Sequence, residues 1–208
     1  MTEHIVWDWN GTLLHDLDAV VGATNEVFKP YELPPLDADA FRAVYTRPIW
    51  VAYERLLGRP LTEGEWELLD NGFHEAYYKL SGVCGLAVDA EVALTTWDGT
   101  QSICSMAPHA QLVPQVDSFG ITRHFTRVDG LIGMTGGEKA AHMAAHIASI
   151  GVRPRDVLVI GDSVDDAVAA RHVGARAVLY TGGMSSRAEL ESTGFPVVDT
   201  LAAALDHT

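Results

Sequence analysis

Two acidic sites in this chain stand where carboxylates can do chemistry. Asp8 follows the apolar run His4-Ile-Val-Trp7 and precedes Asn10-Gly11-Thr12. Asp162 and Asp166 follow a second run, Val157-Leu-Val-Ile160, within Gly161-Asp-Ser-Val-Asp-Asp166. In open α/β sheets, ligands bind outside the carboxyl ends of the strands. The simpler reading of such residues is a turn Asp, or an acidic group favoured by a helix N-terminus. It does not explain why two strands deliver carboxylates to one rim. Converging carboxylates repel unless a hard cation bridges them, and Mg²⁺ suits such a place together with phosphate oxygens and water. Ser105 follows the apolar stretch 101–104 at a predicted helix entrance, where a hydroxyl makes either an anion site or a plain N-cap. Lys139 falls in a predicted first helical turn, where its charge opposes the dipole. It is either solvated beside Glu138 or turned toward an anion.

The elements that must position these residues alternate along the chain. Apolar runs predict strands at 4–7, 101–104, 124–128, 157–160 and 177–180. Helical periodicity predicts helices at 89–97, 110–119, 138–150 and 165–173. The sequence Thr135-Gly-Gly-Glu138 fits a capping box opening the third of these. Such alternation is the mark of an α/β fold with a doubly wound, Rossmann-like parallel sheet. Residues 16–86 break the pattern: helical spacings such as Phe41, Val44 and Tyr45 recur between Pro34-Pro35, Arg47-Pro48 and Gly58-Arg59-Pro60, with no convincing strand. The expectation is an α/β core of residues 1–15 and 87–208 carrying an inserted all-helical subdomain, 16–86.

Taken together, Asp8…Thr12, Ser105, Lys139 and Asp162…Asp166 resemble, in order, the four motifs of the haloacid dehalogenase-like (HAD) superfamily. The insert resembles that family's helical cap of the C1 type. The resemblance implies a Mg²⁺-dependent phosphatase of small phosphate monoesters acting through an aspartyl-phosphate. Asp8 matches the nucleophile, and Ser105 the hydroxyl that binds a phosphoryl oxygen, with Met106 beside it in the substrate contact. Lys139 matches the cation steadying both, Thr12 a residue orienting the first loop, and Asp162 a direct metal ligand. Asp166 matches a ligand or supporting carboxylate. Cap motion is implied too, with hinges near 14–16 and 82–86.

Asn10 departs from the pattern, because phosphatases of the family carry an acid/base Asp there. An amide cannot exchange a proton in that way, though its backbone carbonyl can still face the metal, and general acid–base help is worth roughly 10²–10⁴-fold. The expectation is a slow enzyme, one using good leaving groups, or one with a substitute acid; His15, His74 and His109 are candidates. The context of Trp9 is also similar to that of phosphonoacetaldehyde hydrolases, which lack the second Asp and use a cap lysine; Lys29 and Lys79 are the cap lysines available here. A metabolite-binding or regulatory protein that lost turnover is the remaining alternative.

Other features have blander readings. Arg47 precedes a helix of the insert and is a candidate for a second anionic group of the substrate, or else a solvated arginine. Trp50, Tyr53, Trp66, Phe73 and Tyr77 read as packing within the insert. His142 and His146 are spaced as in some zinc sites, but no Glu follows the first, and they read as an exposed or half-buried face. Gly133–Lys139 lacks the spacing of a nucleotide-binding loop. Cys104 reads as an inert core thiol.

Composition sets the outer limits. The chain has 208 residues, 48% of them apolar, and a formal charge of −14. That acidity argues against nucleic-acid binding. No run approaches the roughly 18 apolar residues of a membrane span. Without a basic N-terminal region a secretory signal is not expected, and two cysteines fit a reducing, cytoplasmic setting. A small phosphorylated metabolite is the expected partner, with the protein a monomer or homodimer.

Overall fold

The computed structural model describes residues 2–133 and 137–208. The elements run β1 (His4–Trp7), β2 (Leu14–His15), α1 (Leu17–Phe28), α2 (Ala38–Val44), α3 (Ile49–Leu57), α4 (Glu65–Leu80), β3 (Gly85–Leu86), α5 (Ala90–Thr96), β4 (Thr100–Pro108) and α6 (His109–Ser118). They continue with β5 (Arg127–Leu131), α7 (Ala140–Ile150), β6 (Val157–Gly161), α8 (Val164–Val173), β7 (Arg176–Tyr180), α9 (Arg187–Ser192), β8 (Val197–Val198) and α10 (Leu201–Ala204).

Six strands form one sheet in the order β5-β4-β1-β6-β7-β8, all neighbours parallel. The chain builds outward from β1 to β5, returns to β6, and builds outward the other way. Two faces need covering, and the strands are apolar on both. Ile5 and Trp7 pack with Leu94, Leu112 and Leu201 on one side. Val6 and Val159 pack with Met143, Ile147 and Ala170 on the other. This is the expected doubly wound Rossmann-like core. The order reverses between β1 and β6, whose carboxyl ends carry Asp8 and Asp162.

The helical insert leaves the core at β2 and returns at β3, which pair antiparallel through Leu14 and Leu86. Its helices bury their own hydrophobic cluster of Phe28, Tyr53 and Leu69. Phe41 packs on Met184, and Arg42 Nε donates to the Gly183 carbonyl at 2.9 Å, so the insert also touches the loop after β7.

Several expectations need correction. Residues 122–124 form a 3-10 turn, and the fifth strand enters the ladder only at Arg127, opposite Ser102. The strand through 101–104 continues to Pro108 across a register shift, so Ser105 lies within it and α6 is capped by Pro108 instead. Helix α7 begins at Ala140, later than the 135–138 box predicts, with Lys139 at its N-cap position; Thr135 lies outside the described residues. The short β2–β3 pair, β8, α9 and α10 are additions. No helix among the described residues is long and apolar enough to cross a membrane.

His146 is buried rather than half-exposed, and it does not pair with His142 around a metal. A polar chain crosses the sheet beneath α7. His4 bonds Thr100 Oγ1 through Nδ1 and Ser102 Oγ through Nε2, both at 2.7 Å. Ser102 Oγ meets His146 Nε2 at 2.8 Å, and His146 Nδ1 meets Asp129 Oδ2 at 2.8 Å. Burial, with His146 nearby, pulls His4 down to about 4. His4 is therefore neutral in the fold at pH 6, while in the unfolded chain it takes up a proton below about 6.5. Its contribution is complete above that value and is lost as pH falls from about 6.5 toward 4, amounting to about 2–3 kcal/mol. Urea unfolding at pH 7 and 4.5 is expected to show a smaller acid loss for His4→Gln than for the wild type; equal losses would refute the assignment.

Candidate active site

The site is assembled from loops at the carboxyl ends of β1, β4 and β6. Asp8 leaves β1 with its N–H donating to the Ile160 carbonyl at 2.8 Å, which seats it against β6. The chain then turns tightly through Gly11, at φ 74°, where a side chain would both strain the backbone and overlap the Asp162 carboxylate. Thr12 Oγ1 donates to Asp162 Oδ1 at 2.8 Å. The Met184 N–H donates to Asp162 Oδ2 at 2.7 Å, and Gly183 leaves room for that carboxylate. Asp166 closes a capping box with Ser163 at the start of α8, its Oδ2 accepting the Ser163 hydroxyl at 2.7 Å. Its other oxygen accepts from Lys139 Nζ at 2.6 Å, and the same ammonium lies 2.7 Å from Asp8 Oδ1. Asp162 precedes α8, so the two acids share a site through the loop rather than through a helix face.

One ammonium thus bridges two of three clustered carboxylates. Burial pushes Asp8 up to about 6, with the Asp166 carboxylate adding and Lys139 opposing. Burial, then Asp8 and Asp166, raise Asp162 well above the ordinary carboxylate range. Burial works to lower Lys139, but Asp166 and Asp8 outweigh it and hold the ammonium above its usual value. Oxygens of Asp8, Asp162 and Asp166 all lie within 4.8 Å of one another. This all-oxygen donor set, with more negative charge than Lys139 balances, fits a hard divalent ion such as Mg²⁺.

A cavity of about 150 Å³ lies over this floor. Asp8, Asn10, Arg47, Ser105, Met106, Lys139, Asp162 and Asp166 all line it; Thr12 does not, acting through Asp162. Ser105 is buried, and its Oγ accepts the Ala107 N–H at 3.1 Å. Arg47 shares the cavity lining with Tyr45, Asp165 and Asp8, whose charges act on its guanidinium, and its Nη1 approaches the Gly137 carbonyl at 3.4 Å. Of the candidate acids only His74 lines the cavity. His15 is exposed, and His109 Nδ1 accepts the Gly130 N–H at 3.1 Å. Lys29 and Lys79 are exposed partners of Glu26 and Glu75, away from the cavity. Cys104 is buried, which pushes its thiol up to about 12.

Asp16, Tyr77 and the Gly183–Met184 loop escape sequence reasoning. Asp16 is buried and accepts from Gly11 N at 2.8 Å, Asn10 Nδ2 at 2.6 Å and the Tyr77 hydroxyl at 2.6 Å. Asn10 Nδ2 also reaches Tyr77 Oη at 2.8 Å. An acid at the start of a helix following a catalytic turn was the available signal for Asp16. Tyr77 gave none, since its ring packs in the insert while its hydroxyl serves the loop.

The family model described as HAD-hydrolase-like matches residues 136–204, which include Lys139, Asp162 and Asp166. The chain is 27% identical to a phosphoglycolate phosphatase of Caulobacter vibrioides, over 93% of this chain and 85% of that one. It is 25% identical to phosphoglycolate phosphatase 1 of Pseudomonas aeruginosa, over 95% of this chain and 76% of the relative. The partial family match, these relatives and the fold together support a haloacid dehalogenase-like hydrolase. This HAD-like protein is a hydrolase, and its relatives support a phosphatase function. Its fold is shared with a predicted phosphoglycolate phosphatase from Haemophilus somnus (TM-score 0.78, 22% identity, 99% and 97% of the chains). It is shared also with a HAD-like protein from Streptococcus pneumoniae (TM-score 0.85, 17% identity, 99% and 98%).

The Asp16 cluster makes a sharp expectation. An amide at 16 has one acceptor oxygen for three donors and turns an N–H₂ against some of them. Asp16→Asn is expected to lower stability by about 2–3 kcal/mol, as lost buried hydrogen bonds do, seen as a lower urea midpoint. An unchanged midpoint would show that the cluster is not held together by the carboxylate.

Proposed function

We propose that this HAD-like phosphatase is Mg²⁺-dependent, acts on small phosphate monoesters, and transfers the phosphoryl group to Asp8. The observation that carries the reading is the Asp8 carboxylate at the cavity floor, 2.7 Å from Lys139 Nζ and within 4.8 Å of the Asp162 and Asp166 oxygens. Asp8, Asp162 and Asp166, with the Asn10 backbone carbonyl, would hold Mg²⁺, which when bound neutralises charge on the phosphoryl oxygens and on the nucleophile. An Asp8 oxygen attacks phosphorus and the bond to the leaving alcohol oxygen breaks. Water then attacks the aspartyl-phosphate, returning the Asp8 carboxylate and inorganic phosphate. Lys139 holds Asp8 in place and balances the charge of the transferring group. Ser105 has used only its acceptor side, so its proton is available to a phosphoryl oxygen.

Asn10 sets the pace in this reading. The Asn10 amide turns its nitrogen toward Asp16 Oδ2 and Tyr77 Oη, at 2.6 and 2.8 Å. Both of its N–H groups are then committed, and its carbonyl oxygen is what it offers the cavity. That oxygen can orient a water or receive a hydrogen bond from the departing alcohol, but it cannot protonate the leaving oxygen. The carbon–phosphorus alternative needs an amine in the cavity, and neither cap lysine is there. Asn10 is the one feature favouring a protein without turnover, and the same measurements address it.

Phosphate release from an aryl phosphate with Mg²⁺ is expected to vanish on chelation and in Asp8→Asn; equal rates in wild type and Asp8→Asn would overturn the mechanism. Asn10→Asp places a second carboxyl against Asp16, and two such groups share a proton. The new acid is therefore expected to speed a poor leaving group by about 10-fold or more, and a good one less. Equal effects on both would dismiss the missing proton as the limiting feature.

A further inference from the structure

The reading above leaves the alcohol half of the substrate open, and the cavity walls speak to it. We propose that the pocket above Asp8 takes the phosphate monoester of a neutral, ring-bearing alcohol in preference to one carrying a second anionic group such as a carboxylate. This rests on the phosphatase reading for the position of the phosphoryl group and goes beyond it in the class of leaving group.

Two observations converge. The first is where the positive charge lies. Among the described residues, Lys139 and Arg47 are the cavity's lysine and arginine. Lys139 is fully engaged with Asp8 and Asp166 at the floor. Arg47 shares its part of the lining with Asp165 and Asp8 and is attracted by both, so its charge is drawn to the phosphoryl end. No such cation remains for a carboxylate further out. The second is the outer wall. Val20 of α1, Phe41 of α2, Ile49 and Tyr53 of α3, and Phe73 of α4 line it. The ionisable pair there is Asp70 with His74, Nε2 to Oδ1 at 3.5 Å. A substrate carboxylate would lose its water against apolar walls and face the Asp70 carboxylate. A ring would bury apolar surface instead. Thr24, Gln111 and Gln115 also line the cavity, so a hydroxyl on that ring would find uncharged polar contacts.

Arg47 as a clamp for a second anionic group is the opposing reading, and binding separates the two without turnover. Benzylphosphonate and phosphonoacetate present the same phosphonate with a ring or a carboxylate. Calorimetry on the full chain with Mg²⁺ is expected to show benzylphosphonate binding about tenfold tighter, the order a buried ring contributes. Equal or tighter binding of phosphonoacetate, or binding of neither at millimolar concentration, overturns the proposal. Arg47→Met is expected to weaken both ligands by a similar factor; a loss confined to phosphonoacetate would return Arg47 to the carboxylate and overturn it as well. Phosphate release from benzyl phosphate is scored separately. Tight benzylphosphonate binding without any release would remove the phosphatase reading and leave the pocket's preference standing.

Discussion

The structure turns on a like-charge problem. Asp8, Asp162 and Asp166 are brought within 4.8 Å of one another at the point where the strand order reverses, with one ammonium among them. Gathering carboxylates in a buried place is unfavourable, and an uncompensated buried charge costs several kcal/mol. The fold meets this by fixing every oxygen it can. Thr12 and the Met184 N–H hold the two oxygens of Asp162, Ser163 holds one of Asp166, and Lys139 bridges Asp166 to Asp8. What remains is a surplus of negative charge with open lone pairs, which is the condition a hard divalent ion relieves. Glycine at 11, 161 and 183 follows from the same crowding, since a Cβ at each would overlap one of these carboxylates.

The same geometry ties the helical insert to the chemistry. Tyr77 belongs to α4, yet its hydroxyl completes the cluster that orients Asn10 through Asp16. Asp16 is itself the residue at which α1 begins. The insert therefore does more than cover the cavity: its packing helps fix the orientation of the Asn10 amide at the cavity lining. Arg42 adds a second tie, from α2 to the loop that holds Asp162. A displacement of the insert would loosen the Asn10 amide and the support of Asp162 together, which links substrate entry to the readiness of the floor.

The core and its floor were legible because they rest on local signals. A strand buried on both faces reads as an unbroken apolar run, and Asp8 and Asp162 sit at the ends of such runs. Lys139 and Ser105 were legible as members of an ordered set, although the helix-cap context read for Ser105 is wrong: β4 runs on to Pro108. Contacts that depend on distant packing were not legible. His146 was read from its spacing to His142, whereas its position is decided by Ser102 and Asp129 across the sheet. Asp16 and Tyr77 are 61 residues apart and meet only because the insert folds back on the first loop. Short elements such as β8 carry too few residues for any periodicity, but α9 announces itself by the capping box Ser186…Glu189.

That difference in legibility follows from how the two halves of the site are built. The floor needs particular atoms at particular distances around a phosphoryl group, so each position demands one residue type and leaves a mark in the sequence. The walls need only shape and an absence of charge, which Val20, Ile49, Phe73 and many other choices satisfy equally. Arg47 stands between the two cases. Its residue type is specific, but whether it serves the phosphoryl group or a second anion depends on where the insert places it, on the same cavity lining as Asp165 and Asp8. Specificity in this fold is therefore a property of the packing of α1 to α4 over a floor whose chemistry is decided elsewhere, and the leaving group is read from the cavity rather than from any motif.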